Sequence, residues 1–232
     1  LLAIEHNLKE IPVVDSESRL LGVIPYDAIL NILHEGHIED SLRGVGVHTF
    51  KDPARNIINA PAGVYFKKRL PWLMVGLLGG LIAAFVVDFY ESALKLQLIL
   101  ASFIPAIVYI ADAVGTQTQT IFIRSLALDQ RLDVFKYVER EIKVGLGIAA
   151  SLSAVMSALA YFLWGSAELS AILGFSFLAA ILAAMLVAVL LPWLFGKLNV
   201  DPAIASGPFA TIIRDILSLI IYFSIASAVL SA

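Results

Sequence analysis

The 232-residue chain has no cysteine, so neither a disulfide framework nor a thiolate metal site is open to it. Histidine is nearly as scarce. His6, His34, His37 and His48 are the whole supply, and none follows them to provide imidazole for a zinc site or an HExxH motif. Charge is the third shortage. Charged residues make up 15% of the chain and hydrophobic ones 59%, against roughly 25% and 45–50% in a soluble domain. Such a composition excludes disorder. The net charge of −3 gives no basis for nucleic-acid binding.

The charges that exist are unevenly placed. Residues 1–69 hold 17 of the 35, and residues 70–232, more than twice as long, hold the other 18. This pattern predicts a small cytoplasmic domain followed by an integral membrane domain. A helix needs about 20 mostly apolar residues to cross the hydrocarbon layer, and five segments qualify. They are Leu70–Val87, Leu96–Ala111 with a continuation to about Leu128, Val144–Ala167, Leu169–Gly196, and about Ala203 to Ala232. Orientation follows from Lys and Arg near the span ends. Lys67, Lys68 and Arg69 precede the first span. Arg131, Lys136, Arg140 and Lys143 are expected between the second and third, with Lys197 after the fourth. The alternate loops hold only Lys95 beside Asp88, Glu91 and Glu168. The N-terminal part is therefore expected in the cytoplasm and the C-terminus outside, in a cell membrane. The opening LLAIEHNLKEIPVVD has no basic start or long apolar core, so no secretory leader is expected there. It lacks an initiating Met and starts inside what reads as a domain, so the chain is expected to be a piece of a longer protein.

Within residues 1–50, Ile11–Val14 reads as a strand, Asp15–Arg19 as a turn, Leu20–Ile24 as a second strand and Asp27–Leu33 as an amphipathic helix. One such unit cannot bury its own faces and needs a partner module or a second chain. It resembles the second half of a CBS module. In that family a hydroxyl residue after the second strand and an Asp on the helix often hold a nucleotide. Here Pro25 stands at the hydroxyl position and Ala28 where the acid is usual, so no nucleotide is expected at this half-site. Asp52 and Pro53 then read as an N-cap and N1 pair. They open a connecting helix over residues 51–69, with Pro61 as a kink.

Two places put polar groups within the spans, where an acid costs about 2.5–3.5 kcal/mol and usually marks function. In the second span Asp112, Thr116 and Gln119 share one helical face. Oxygen-bearing side chains on one face suit a hydrated path or, alternatively, hydrogen bonding between helices. In the fifth, Asp201 and Pro202 read as a cap, and Ser206-Gly207-Pro208 can break the helix and free carbonyls. Thr211, Asp215, Ser218 and Tyr222 follow as one polar stripe. Arg214 points about 100° from Asp215 and is expected to snorkel or pair elsewhere. Asp215 is the expected ion ligand, and oxygen donors without thiolate or imidazole favour a hard cation. One carboxylate is a poor divalent site, but a two-fold homodimer brings two copies to a shared axis.

A CBS half-module, a connecting helix, five spans and DPAIASGPFATIIRD opening the fifth resemble the MgtE family of magnesium channels and transporters. The resemblance implies a mainly α protein without enzymatic activity. It implies a homodimer in lipid whose axial pore passes Mg²⁺, shut by cytosolic Mg²⁺ bound between CBS modules and connecting helices. It carries the family's ion-coordinating aspartate onto Asp215, with Thr211 and Gly207 at neighbouring pore positions. Gly207 has no amide side chain where some relatives do, so it offers only backbone. Asp112, Thr116, Gln119 and Ser218 are the further pore-lining candidates. Glu35, Glu39, Asp40 and Asp52 are the acids near the connecting helix that regulatory Mg²⁺ would use. The competing readings are a CBS-linked membrane sensor that transports nothing and a transporter of another divalent cation. A membrane protease lacks its nucleophile set here, and anion channels with CBS modules carry them after the spans.

Overall fold

A computed structural model describes residues 9–47, 58–128, 132–198, 200 and 207–231. Strands β1 (Glu10–Val14) and β2 (Leu20–Pro25) form an antiparallel hairpin, with a register shift between Val13 and Val14. Its turn is closed by Asp15, whose Oδ1 accepts from the backbone N–H of Glu17 at 2.9 Å and of Arg19 at 2.8 Å. Ser18 takes φ 61° there, a left-handed value that short polar residues tolerate in turns. Helix α1 (Tyr26–Gly44) follows directly, longer than the predicted Asp27–Leu33. Leu20, Leu21 and Val23 on the hairpin, with Leu30 and Leu33 on α1, stay exposed. The unit therefore leaves apolar surface uncovered, as its small size requires.

Five helices have the length and composition to cross a membrane: α2 (Ala62–Phe89), α4 (Leu100–Leu128), α5 (Val134–Trp164), α6 (Ala167–Lys197) and α7 (Pro208–Leu230). A short α3 (Glu91–Leu96) joins α2 to α4. The count matches the prediction, but several bounds differ. Pro61 is not a kink within a helix but the N-cap of α2, in extended conformation. Proline disfavours helical geometry in the residue before it and lacks the N–H that would continue an upstream helix. From Ala62 on, the second half of the expected connecting helix is continuous with the first span. Lys136, Arg140 and Lys143 lie on the first turns of α5 rather than in a loop. Asp133 caps that helix, accepting from the N–H groups of Phe135 and Lys136, and so starts it ten residues before the apolar run. α7 begins at Pro208 with Gly207 as N-cap, and the expected Asp201–Pro202 cap lies outside the described residues.

α6 is the central element, packed on α4, α5 and α7, while α2 packs on α7. More than half of α6's most apolar window is buried, and almost none of α2's is. One core runs through the bundle from Leu100, Phe103 and Ile107 on α4 to Leu173 and Phe177 on α6 and Phe223 on α7. Lipid tails give little hydrophobic drive between helices, so close packing and hydrogen bonds carry the association. Ser157 and Ser170 bond reciprocally across α5 and α6: each hydroxyl donates to the other's carbonyl oxygen, at 3.0 and 2.8 Å. Tyr222 donates to the Leu100 carbonyl at 2.8 Å, joining α7 to the start of α4. Gly79 of α2 lies where a Cβ would come within 2.4 Å of Ile212. A larger residue at that point would have to displace the Ile212 side chain where α2 meets α7.

Candidate functional site

A cavity of about 450 Å³ opens among α2, α4, α7 and the end of α1. Gly76, Gly79, Gly80 and Ala83 form its α2 wall. Their lack of bulk leaves the space that larger side chains would fill. Thr116 faces it from α4, while Gly207, Pro208, Thr211, Ile212 and Asp215 face it from the first two turns of α7. Gly44 and Val45 at the end of α1 complete the lining. The chain turns there through Gly46, at φ 74°. A Cβ on Gly46 would meet the Pro208 ring at 2.6 Å. The N-terminal unit thus rests against the start of α7.

Asp215 is the only acid on the cavity wall among the described residues. Its Oδ1 is buried and has no hydrogen-bond partner. A buried acceptor left unpaired in this way calls for an explanation, and an unseen ion or its water is one. The neighbouring guanidinium does not supply the partner. Arg214 is 1% exposed and turns to α4, where Nε and Nη2 donate to Asp112 Oδ1 at 2.9 and 2.7 Å. Its Nη1 donates to Gln119 Oε1 at 2.6 Å. Nη2 also reaches the hydroxyl oxygens of Thr116 at 3.1 Å and Thr211 at 3.3 Å.

The residues singled out in the sequence thus divide. Gly207, Thr211, Asp215 and Thr116 line the cavity, whereas Asp112 and Gln119 are engaged by Arg214 outside its wall. Ser218 is buried and donates to the Arg214 carbonyl at 2.7 Å. The cavity follows only the first two turns of α7, so the rest of the stripe is covered by packing. Of the acids proposed as regulatory ligands, Glu39 lies 3.8 Å from Arg43 and Glu35 is exposed on α1. The Asp40 side chain and Asp52 lie outside the described residues. No group of three or more His, Asp or Glu side chains with metal-binding proximity occurs among the described residues.

Sequence reasoning passed over the small-residue wall of α2, although Gly76, Gly79, Gly80 and Ala83 recur at helical spacing and signal close approach. It also left Arg214 without a partner. Asp112 is 102 positions away, and only its occurrence as a second intramembrane charge of opposite sign hinted at the pair.

Five membrane-length helices define an integral membrane protein, with Thr116, Thr211 and Asp215 as the polar side chains of a largely apolar recess between α2, α4 and α7. Residues 104–225 match the family model of MgtE, a divalent cation transporter, and the chain belongs to that family. It is 32% identical over 221 residues to the magnesium transporter MgtE of Bacillus subtilis, covering 94% of this chain and 48% of that protein. To the magnesium transporter MgtE of Enterococcus faecalis it is 32% identical over 228 residues, 96% of this chain and 48% of the relative. To that of Thermus thermophilus it is 31% identical over 237 residues, 100% and 51%. The chain spans about half the length of these relatives.

Proposed function

We propose that this chain is the membrane-spanning part of a Mg²⁺ channel or transporter. The ion passes along the two-fold axis of a homodimer, and cytosolic Mg²⁺ acting on the CBS and connecting region closes the path. The Asp215 carboxylate on the cavity wall, with its buried Oδ1 unpartnered, carries this reading. Mg²⁺ takes hard oxygen ligands and keeps most of its waters when one or two carboxylates hold it. Two copies of Asp215 facing a shared axis provide that pair. Backbone at Gly207 and the hydroxyl of Thr211 line the same recess and are placed to meet bound water. The mostly unburied face of α2 has surface available for a partner as well as for lipid.

The basic residues at the starts of α2 and α5 and the end of α6 support a cytoplasmic position for those ends and an outside position for the α7 C-terminus. The cavity then opens on the cytoplasmic half, beside the unit that would sense the ion. The test is Mg²⁺ uptake by the full-length protein in proteoliposomes, comparing wild type with Asp215→Asn. The substitution keeps the shape and removes the charge. Uptake falls to background while the protein still elutes as the wild-type assembly. Undiminished uptake in that variant would refute the assignment.

A further inference from the structure

Arg214 heads the fully buried side chains by size, although an arginine within a membrane helix costs about 2.5–3.5 kcal/mol on insertion scales. Its surroundings are shaped to it. A Cβ on Gly115 would lie 2.5 Å from Arg214 Cδ, so α4 is without a side chain where the guanidinium stem crosses. The fork then closes on Asp112 and Gln119 of that helix, with Nη2 also touching the hydroxyls of Thr116 and Thr211.

The consequence is electrostatic. Asp112 and Asp215 are both acids within the spans, and among the described residues Arg214 is the basic side chain in salt-bridge contact with either. That cation contacts Asp112, whereas Asp215 Oδ1 stays without a partner. With one Nη2 N–H on Asp112, the other is shared between the cavity-lining hydroxyls of Thr116 at 3.1 Å and Thr211 at 3.3 Å, and its positive charge beside them weakens those oxygens as cation ligands. The recess is left with one full anionic acceptor per chain.

Building on the reading of Asp215 as the ion-binding group, we infer that Arg214 is a specificity-determining positioning residue, which holds Asp112 out of the ion path and limits the path to one carboxylate per chain. Ligand number separates divalent cations. Mg²⁺ gives up its waters reluctantly and is served by few protein oxygens, whereas Ca²⁺ takes six to eight oxygen ligands in flexible geometry. A second carboxylate in the recess would favour the ion that sheds water and gathers ligands.

The experiment measures Mg²⁺ uptake into proteoliposomes by the full-length protein and its inhibition by Ca²⁺, for Arg214→Gln, Asp112→Asn, the double variant and Asp215→Asn. Arg214→Gln releases Asp112, and the half-inhibiting Ca²⁺ concentration falls by about tenfold. Asp112→Asn leaves an uncompensated guanidinium beside the path, and the same concentration rises. The double variant restores the charge balance and returns it toward wild type. A purely structural pair would give losses of uptake without opposite shifts in Ca²⁺ inhibition, and that pattern overturns the inference. Should Arg214→Gln not assemble, Arg214→Lys keeps the charge and loses the fork. Ca²⁺ inhibition in that variant stays near wild type, and a shift as large as the tenfold one refutes the charge argument. Loss of uptake in Asp215→Asn without opposite shifts sinks this inference alone. Normal uptake in Asp215→Asn sinks the underlying site assignment, and this inference with it.

Discussion

At residue scale, three glycines on neighbouring helices differ only in what a methyl group would meet. At Gly115 it would overlap Arg214 Cδ at 2.5 Å, at Gly174 it would press on Ser157 at 3.1 Å, and at Gly147 nothing lies within 4 Å. Overpacking a filled site costs about 1–3 kcal/mol. Thermal stability of the detergent-solubilised protein should therefore fall most for Gly115→Ala and least for Gly147→Ala. Gly115→Ala should also reduce uptake, because it displaces the fork that holds Asp112; equal stabilities across the three would contradict the packing described. Asp215 could be singled out as a candidate from the sequence because an acid within an apolar run is expensive wherever the helix sits. Its freedom from Arg214 was legible only in part. Helical geometry separates adjacent side chains, but the destination of the guanidinium depends on a helix joined through a long stretch of chain.

Among the elements, α5 shows how a span can outrun its apolar window. The Asp133 carboxylate receives the first free N–H groups of the helix, so the helix starts in the basic segment and not at Val144. The backbone N–H of Lys136 holds the Asp133 carboxyl below the usual aspartate range, with the Lys136 ammonium adding to the effect. A depressed folded pKa means the cap contributes fully above the unfolded aspartate value and is lost as pH falls through the folded one. Asp133→Asn cannot ionise, so the gap between its melting temperature and that of wild type should narrow from about pH 7 to about pH 3. A gap independent of pH would mean that the charge adds nothing to the cap. The serine pair between α5 and α6 belongs to the same scale. Ser157→Ala should cost only about 0.6 kcal/mol, the mean for hydrogen bonds between membrane helices, measured by unfolding in mixed micelles. A loss several times larger would mean that the pair organises more than its own bonds.

For the whole molecule, the absence of cysteine turns topology into a direct measurement. Lys95 and Lys136 are exposed at opposite ends of the helices. In the proposed orientation, a membrane-impermeant maleimide labels Lys95→Cys on intact cells and Lys136→Cys only after permeabilisation. The reverse pattern would invert the chain and place the Asp215 recess toward the outside. The same scale explains the exposed apolar residues of the hairpin and α1, which one chain of this length does not cover.

The number of spans and the hairpin were contained in the linear order of residues, as was the candidacy of Asp215. Apolar runs of membrane length and period-two strands are local properties, and a carboxylate's desolvation cost follows the residue wherever it lies. Only the tertiary structure decided that α6 occupies the centre, that glycines of α2 wall a recess, and that Asp112 rather than Asp215 receives Arg214. Those outcomes depend on which faces meet across distant segments, and helical periodicity assigns a residue to a face without naming the face opposite.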